Sequence, residues 1–342
     1  MSGSADALVK ALQVARESSI VVTTGAGISL ASGIPTFRGQ DPGAVWKRDV
    51  TELGTFRYFL EDPAGSWRWY LSRFARVGSP PALPPKGLRD GQPTPPPPRA
   101  SRAPSPAADH RGRVWRGRAK RARGGGGWGA EGQSEPSQGS HDDRIFAARP
   151  NAAHLALAAL QTWQRAAGGS FLLITQNIDT LHEQAGSLDL VKVHGSADRV
   201  RCVREGCRFG APKGSLARAD VDLAVFVRDP VVENLPLCPA CGSLLRQHVL
   251  WFDECYNSHA DYQWDRVCAA AADAELFIFV GTSLSVGVTE LLVESALSRG
   301  KSVFSIDPHA RAPIPGVIAV RAPSETLLPG VLRGLGISGR DS

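Results

Sequence analysis

The sequence predicts an α/β fold: a parallel β-sheet covered by helices on both faces, with a small metal-binding domain beside it. Three observations predict it. Short, continuous apolar runs rich in β-branched residues recur at 19–25, 171–177, 190–195, 276–282, 302–307 and 317–320. Helix-like stretches lie between them, among them Asn151 to Gln164 and Val288 to Arg299. Four of the six cysteines fall into two close pairs. Apolar strands alternating with helices indicate a parallel sheet buried on both sides. Such sheets take their ligands at the carboxyl ends of the strands, so the strand-end loops are where chemistry is expected.

The totals exclude some classes. At 342 residues the chain suffices for one large domain or two ordinary ones. With 42% hydrophobic and 21% charged residues it has a globular composition. The longest apolar candidate, Leu276 to Val293, is broken by Gly281, Gly287 and Glu290, so no membrane span is expected. The start, MSGSADALVKALQVARE, reads as an amphipathic helix and not as a signal peptide. A cytoplasmic, reducing location is therefore expected, where close cysteine pairs suggest metal before disulfides.

The net charge of +6 is confined to one segment. Gly78 to Asp142 carries 11 Lys/Arg against 5 Asp/Glu, whereas the remainder has 28 of each. Nucleic acid is thus not an expected partner of the folded surface. The same segment holds 12 of the 25 prolines, in runs such as PTPPPPRASRAPSP, and shows no apolar periodicity. It reads as a disordered insertion. As a surface loop it adds little closure entropy; the alternative is that RGRAKRAR binds nucleic acid or acts as an address.

The first strand, SIVVTTG, runs into GAGISLASGIPTFRG, Gly25 to Gly39. Gly25 and Gly27 let the backbone approach a phosphate and offer amides to it, or else they make a tight strand-to-helix turn. Ile34 to Arg38 is apolar and cationic, suited to covering a bound nucleotide. The strand at 171–175 ends in Gln176-Asn177-Ile178-Asp179. These side chains fit a pocket for amide and hydroxyl groups, or an Asx turn capping the next helix. The next strand ends at His194-Gly195. A histidine opposite two polar strand-end loops is a candidate base, because imidazole titrates near neutral pH. Cys202-x4-Cys207 and Cys238-x2-Cys241 stand 30 residues apart. Four thiolates suit one tetrahedral, structural Zn²⁺; Cys255 and Cys268 have no partner pattern.

In this order and on these strands, GAGIS-x-x-SGIP-x-FR, TQNID, HG and the GTS at 281–283 resemble the sirtuin family. The resemblance covers nearly the whole chain except the insertion. It implies an NAD-dependent protein-lysine deacylase that releases nicotinamide and O-acyl-ADP-ribose. By that resemblance Gly25, Ala26 and Gly27 hold the diphosphate of NAD, and Phe37 and Arg38 close over the nicotinamide side. Gln176, Asn177 and Asp179 bind ribose and carboxamide; Gly281, Thr282 and Ser283 meet the adenosine half. His194 is the general base on the ribose, with Asn177 beside it. Asp307 stands where the family often has an Asn for the adenosine ribose.

The resemblance also sets an organisation. A Rossmann-like NAD-binding domain spans 1–40, 151–200 and 243–342. A helical acyl-pocket module spans 41–77, the insertion 78–142, and a zinc-binding module 201–242. Within the helical module, Tyr70 and Arg73 match a Tyr-x-x-Arg pair that marks the desuccinylase-like branch, and Gly54 stands where that branch keeps a small residue. Residues three apart share a helix face. A succinyl, malonyl or glutaryl lysine ends in a carboxylate, which is costly to bury unpaired. Arg offers a bidentate fork to it and Tyr a neutral donor. The alternative places Tyr70 in the core and Arg73 in solvent, which leaves a plain deacetylase; mono-ADP-ribosyl transfer or NAD hydrolysis is a further alternative. Val249, Leu250, Trp251 and Phe252 are the expected edge for pairing with the substrate peptide. There the family usually has Phe-Gly-Glu where this chain has Phe252-Asp253-Glu254, and after GTS a Pro where this chain has Val288. Acylated lysine on proteins is the implied partner, and the sequence does not set the oligomeric state.

Overall fold

Six parallel strands form the main sheet of the computed structural model, which describes residues 3–36, 50–74, 147–309 and 314–337. Phe37, Arg38, the start of the helical module and the predicted insertion lie outside the described residues, as does the side chain of Arg73. The strands are β1 (Ser19–Thr24), β2 (Ser170–Thr175), β3 (Leu190–Lys192), β7 (Leu276–Val280), β8 (Ser302–Ile306) and β9 (Val317–Val320). Their order is β3-β2-β1-β7-β8-β9, the expected Rossmann-like arrangement. The strand order reverses between β1 and β7, so the loops after these two strands diverge from a common crevice.

Alternation along each strand builds two cores. Ile20 and Val22 face one side of the sheet with Leu276, Ile278 and Val280, and Val21 faces the other with Phe277 and Phe279. The first layer is closed by the N-terminal helix Gly3–Val14, whose Ala5, Leu8, Val9 and Leu12 are buried at helical spacing. The helix Ala152–Ala166 packs there too, capped by Asn151 and His154 in a reciprocal capping box. The helices Trp264–Asp273 and Gly287–Ser298 cover the other layer through Val267, Ala271, Leu292 and Ala296. No helix among the described residues is long and apolar enough to cross a membrane.

A second, antiparallel sheet is built from β4 (Gly195–Cys202), β5 (Leu216–Ala217) and β6 (Leu245–Val249), in the order β5-β4-β6. Its strands run from Gly195 to Val249, on either side of the predicted 201–242, and Cys202 ends β4. Short helices at Val50–Leu53, Phe56–Glu61 and Pro63–Phe74 pack on it. Phe59, Ala64 and Trp67 share a core with Val200, Cys202, Cys238, Leu245 and Trp251. The last of these helices starts with proline, whose fixed φ and missing N–H suit a first helical position.

At the crevice the two loops pass in backbone contact. Gly25 N–H donates to the Val280 carbonyl at 3.0 Å, and Gly27 N–H donates to the Gly281 carbonyl at 2.9 Å. A Cβ on Gly27 would lie 2.8 Å from the Gly281 Cα. Gly281 itself has φ of 59°, a left-handed conformation that favours glycine. Gly27→Ala should therefore force the β1 and β7 loops apart and destabilise the fold by about 1–3 kcal/mol, the usual cost of overpacking. Urea denaturation should show a lower midpoint with an unchanged slope; an unchanged midpoint would mean the loops separate freely.

Candidate active site

The sequence-predicted residues converge at the carboxyl ends of β1, β2 and β7. The segment Ala26–Ser32 leaves β1 as a 3-10 helix, with Gly25 extended before it. Its first amides are tied down at this contact, Gly27 N–H to the Gly281 carbonyl at 2.9 Å and Ile28 N–H to the Gly25 carbonyl at 3.2 Å. Gln176 Nε2 donates to Thr282 Oγ1 at 3.0 Å, which ties the β2 loop to the β7 loop. Ser283 follows, with its Oγ 2.8 Å from Ser285 Oγ. Asp307 stands at the end of β8 and accepts the His309 N–H at 2.6 Å.

Asn177 and Asp179 are buried, at 8% and 5% exposure, and both are held through Ser29. Asn177 Nδ2 donates to the Gly25 carbonyl and to Ser29 Oγ, each at 3.1 Å. Ser29 Oγ in turn donates to Asp179 Oδ2 at 3.0 Å. Asp179 Oδ1 accepts the Leu181 N–H at 3.0 Å, so the Asx-turn reading holds. Burial raises the Asp179 pKa, while the Leu181 and Ser29 hydrogen bonds and the Lys192 charge oppose the rise. Lys192 Nζ donates to the Asp179 carbonyl at 2.6 Å and pairs with Glu183 at 2.8 Å.

His194 sits in the turn between β3 and β4. Its Nδ1–H donates to the Gln176 carbonyl at 2.9 Å, a contact that fixes the tautomer and leaves the lone pair on Nε2. Burial lowers its pKa to about 4, with the Gln176 hydrogen bond opposing the shift. At neutral pH the imidazole is a free base with Nε2 available. That nitrogen lies 3.4 Å from the Tyr256 hydroxyl, and the two rings stack at 5.8 Å. Tyr256 stacks in turn on Trp264 at 4.4 Å.

Three contributors were missed in the sequence. Ser29 lies inside the quoted glycine loop, but only the fold shows that it joins Asn177 to Asp179. Asn151 reads as a helix cap, yet its Nδ2 also donates to the Ile28 carbonyl at 2.7 Å and steadies the loop. Tyr256 has no local signal, because its partner His194 is 62 residues away.

On the substrate side, Gly54 is buried and its carbonyl accepts the Phe252 N–H at 3.0 Å. Tyr70 is buried at 7% exposure, edge-on to Trp67 with centroids 6.4 Å apart. The helix Pro63–Phe74 carries Arg73 one turn beyond it. The expected peptide-pairing edge has several of its backbone groups paired within the chain. Leu250 N–H donates to the His194 carbonyl at 2.9 Å and Trp251 N–H to Glu254 Oε2 at 3.0 Å. The Val249 carbonyl accepts from Arg246 at 2.8 Å. The Trp251 ring is in the core beneath the Arg246 guanidinium, 3.3 Å away, while Phe252 is 51% exposed. Most backbone groups of 249–252 are thus already paired within the chain. Asp253 replaces the family glycine for a local reason: its carboxylate accepts the Phe56 and Arg57 N–H groups at 2.7 and 3.0 Å.

The four cysteines meet as expected. Cys202 Sγ is 3.5 Å from Cys241 Sγ, and Cys207 Sγ is 3.7 Å from Cys238 Sγ. A tetrahedral Zn²⁺ with bonds of about 2.3 Å spaces its sulfurs by about 3.8 Å, so the set fits the ion. NAD has its expected place at the strand ends, where the strand order reverses between β1 and β7. Cys255 and Cys268 are exposed and stand apart from the set.

Residues 136–288 match the model of the Sir2 family. An NAD-dependent protein deacylase of Thermus thermophilus is 30% identical over 301 residues, covering 88% of this chain and 82% of the relative. NAD-dependent protein deacylase 2 of Pyrobaculum aerophilum is 30% identical over 311 residues, covering 90% and 87%. Among solved structures, a Sir2 homologue in complex with NAD is 27% identical with a TM-score of 0.61, covering 97% of this chain and 93% of that one. A mutant Sir2 homologue in complex with ADP-ribose is 26% identical with a TM-score of 0.62, covering 97% and 96%.

Two histidines at this end of the sheet make stability pH-dependent. Burial lowers His154 and His194 each to about 4, against an ordinary value of 6.5. Both therefore bind their proton on unfolding throughout this window. Their contribution is intact above pH 6.5 and is lost as pH falls toward 4. Each should remove about 2 kcal/mol between pH 7 and pH 5. Chemical denaturation of the ligand-free protein at these two pH values checks it, and equal stabilities would contradict the burial of the two rings.

Proposed function

The chain belongs to the Sir2 family and is an NAD-dependent protein deacylase; we propose that its preferred acyl group is a short dicarboxylic one, succinyl, malonyl or glutaryl, on protein lysine. One observation carries the proposal. Tyr70 is buried on the same helix that bears Arg73 one turn later, and Trp67 anchors that helix by donating Nε1–H to the Leu245 carbonyl at 3.0 Å. A buried phenol and a guanidinium at helical spacing supply one neutral and one bidentate donor, which a carboxylate needs when it leaves water.

NAD, when bound, supplies the electrophilic ribose carbon and takes up the acyl group. The proposed roles of this chain's residues are supported by their positions at the strand ends. The glycine loops Gly25–Gly27 and Gly281–Ser283 admit the diphosphate and adenosine half close to backbone amides. Asn177 and Asp179, locked by Ser29, present an amide and a carboxylate to ribose and carboxamide groups. His194, neutral and bonded through Nδ1, accepts a hydroxyl proton at Nε2. The Tyr256 hydroxyl already faces that nitrogen, so a substrate hydroxyl must take its place there. Asp307 accepts from the adenosine ribose, and the structural Zn²⁺ is held by Cys202, Cys207, Cys238 and Cys241.

The test is NAD-dependent release of lysine from one peptide carrying acetyl, succinyl, malonyl or glutaryl, with Arg73→Met in parallel. Succinyl-type groups should be favoured. Arg73→Met should lower their kcat/KM by about 10²–10³-fold, as expected for unpairing a buried charge, and should change acetyl by less than about threefold. If acetyl is preferred and Arg73→Met changes nothing, Tyr70 is packing and the enzyme is a plain deacetylase. Nicotinamide release without peptide deacylation would instead favour ADP-ribosyl transfer or NAD hydrolysis.

A further inference from the structure

Behind the turn that holds His194, a second set of metal-type ligands converges, separate from the cysteines. His248 comes from β6, and His259 and Asp261 from the loop that follows. Their ligand atoms all lie within 4.8 Å of one another. His248 Nε2 is 3.0 Å from Asp261 Oδ2, and His259 Nδ1 is 3.7 Å from the same oxygen. A tetrahedral ion with bonds of about 2.0–2.1 Å spaces its ligands by about 3.3 Å, so both edges already bracket that value.

The surroundings favour ligation over simple pairing. The His248 ring is 1% exposed, and its Nδ1 has no hydrogen-bond partner among the described residues while Nε2 meets the carboxylate. The His259 Nε2–H donates to the Gly214 carbonyl at 3.1 Å, which leaves the lone pair on Nδ1. Ser215 Oγ donates to Asp261 Oδ2 at 3.1 Å. Outer contacts of this kind orient metal ligands and fix the histidine tautomer. The nearby Arg201 charge is met by Glu254 at 2.6 Å, so it does not stand bare against an ion.

Access is also provided. Both imidazoles are buried, while the Asp261 side chain is 42% exposed on a cleft of about 600 Å³ that His248, Lys192 and Ser196 also line. Three protein ligands with one open side leave a fourth position for water, the pattern of an open zinc site. The Asp261 N–H now donates to His259 Nδ1 at 3.1 Å, and an ion would take that place. We infer that His248, His259 and Asp261 bind one divalent transition-metal ion of the Zn²⁺ or Co²⁺ type, in addition to the ion held by the cysteines.

The experiment is metal stoichiometry on the full chain. Protein is loaded with Co²⁺ under anaerobic conditions, dialysed against metal-free buffer, and measured by elemental analysis and visible absorption. Wild type should retain two ions per chain, one with sulfur-to-cobalt charge-transfer bands and one without. Asp261→Asn and His259→Gln should each weaken the second ion at least about tenfold and leave the thiolate bands and the circular dichroism unchanged. Asp261→Asn tests a half-exposed side chain, so loss of fold cannot mimic the result. One ion per chain in wild type, or a second ion that persists in both variants, would overturn the inference and leave a hydrogen-bonded His–Asp–His cluster.

Discussion

The crossing of the β1 and β7 loops is the constraint on which the remainder of the site depends. Gly25, Gly27 and Gly281 meet backbone to backbone, with no side chain between them. That contact lets the first loop turn inward as a 3-10 segment rather than rise above the sheet. Ser29 is then delivered to the end of β2, where Asn177 and Asp179 need a partner. His194 hangs from the same β2 loop through the Gln176 carbonyl. One close approach thus sets the positions of amides, carboxylate and base together.

The site is polar yet largely buried, and its main groups are paired within the chain. Thr24 Oγ1 donates to Thr175 Oγ1 at 2.9 Å and also meets His182 Nε2 at 2.9 Å, beneath the strand ends. His182 packs against His154 at 4.8 Å, and burial holds both below their ordinary pKa. A neutral, hydrogen-bonded floor of this kind avoids the cost of buried charge. Asp179, the one buried carboxylate among the described residues, has two donors and the Lys192 ammonium nearby.

Much of this was legible in the sequence, and the reasons differ from element to element. The inner strands of the main sheet are buried on both faces, so they leave continuous apolar runs such as LFIFV. The glycines at the crossing are visible because close approach admits nothing else. The small sheet was not legible, because β6 reads LRQHV and still buries Arg246, Gln247 and His248. Its charges are answered by Glu254, which pairs with Arg246 at 2.7 Å and Arg201 at 2.6 Å. A pattern of polar letters cannot announce a core whose arginines are paired by a residue outside the strand. Tyr256 was hidden for a related reason: its stacking partners His194 and Trp264 belong to other elements.

The helical module draws its rigidity from the zinc domain and not from the nucleotide-binding sheet. Phe56 and Phe59 pack against the Trp251 ring at 6.0 and 5.5 Å, Trp67 bonds to the β6 backbone, and Asp253 caps the helix that starts at Phe56. Cys202 and Cys238 lie in that same core. A structural ion contributes to folding directly where its ligands are part of the packing. The helix bearing Tyr70 and Arg73 therefore rests on a core that the cysteine site completes. The His194 end rests instead on the glycine crossing. The helix bearing Tyr70 and the strand-end loops are in this way held by two separate cores, joined where His194 and Gly195 pass from one sheet to the other. A change among the cysteines should reach Tyr70 before it reaches His194, because the packing runs in that direction.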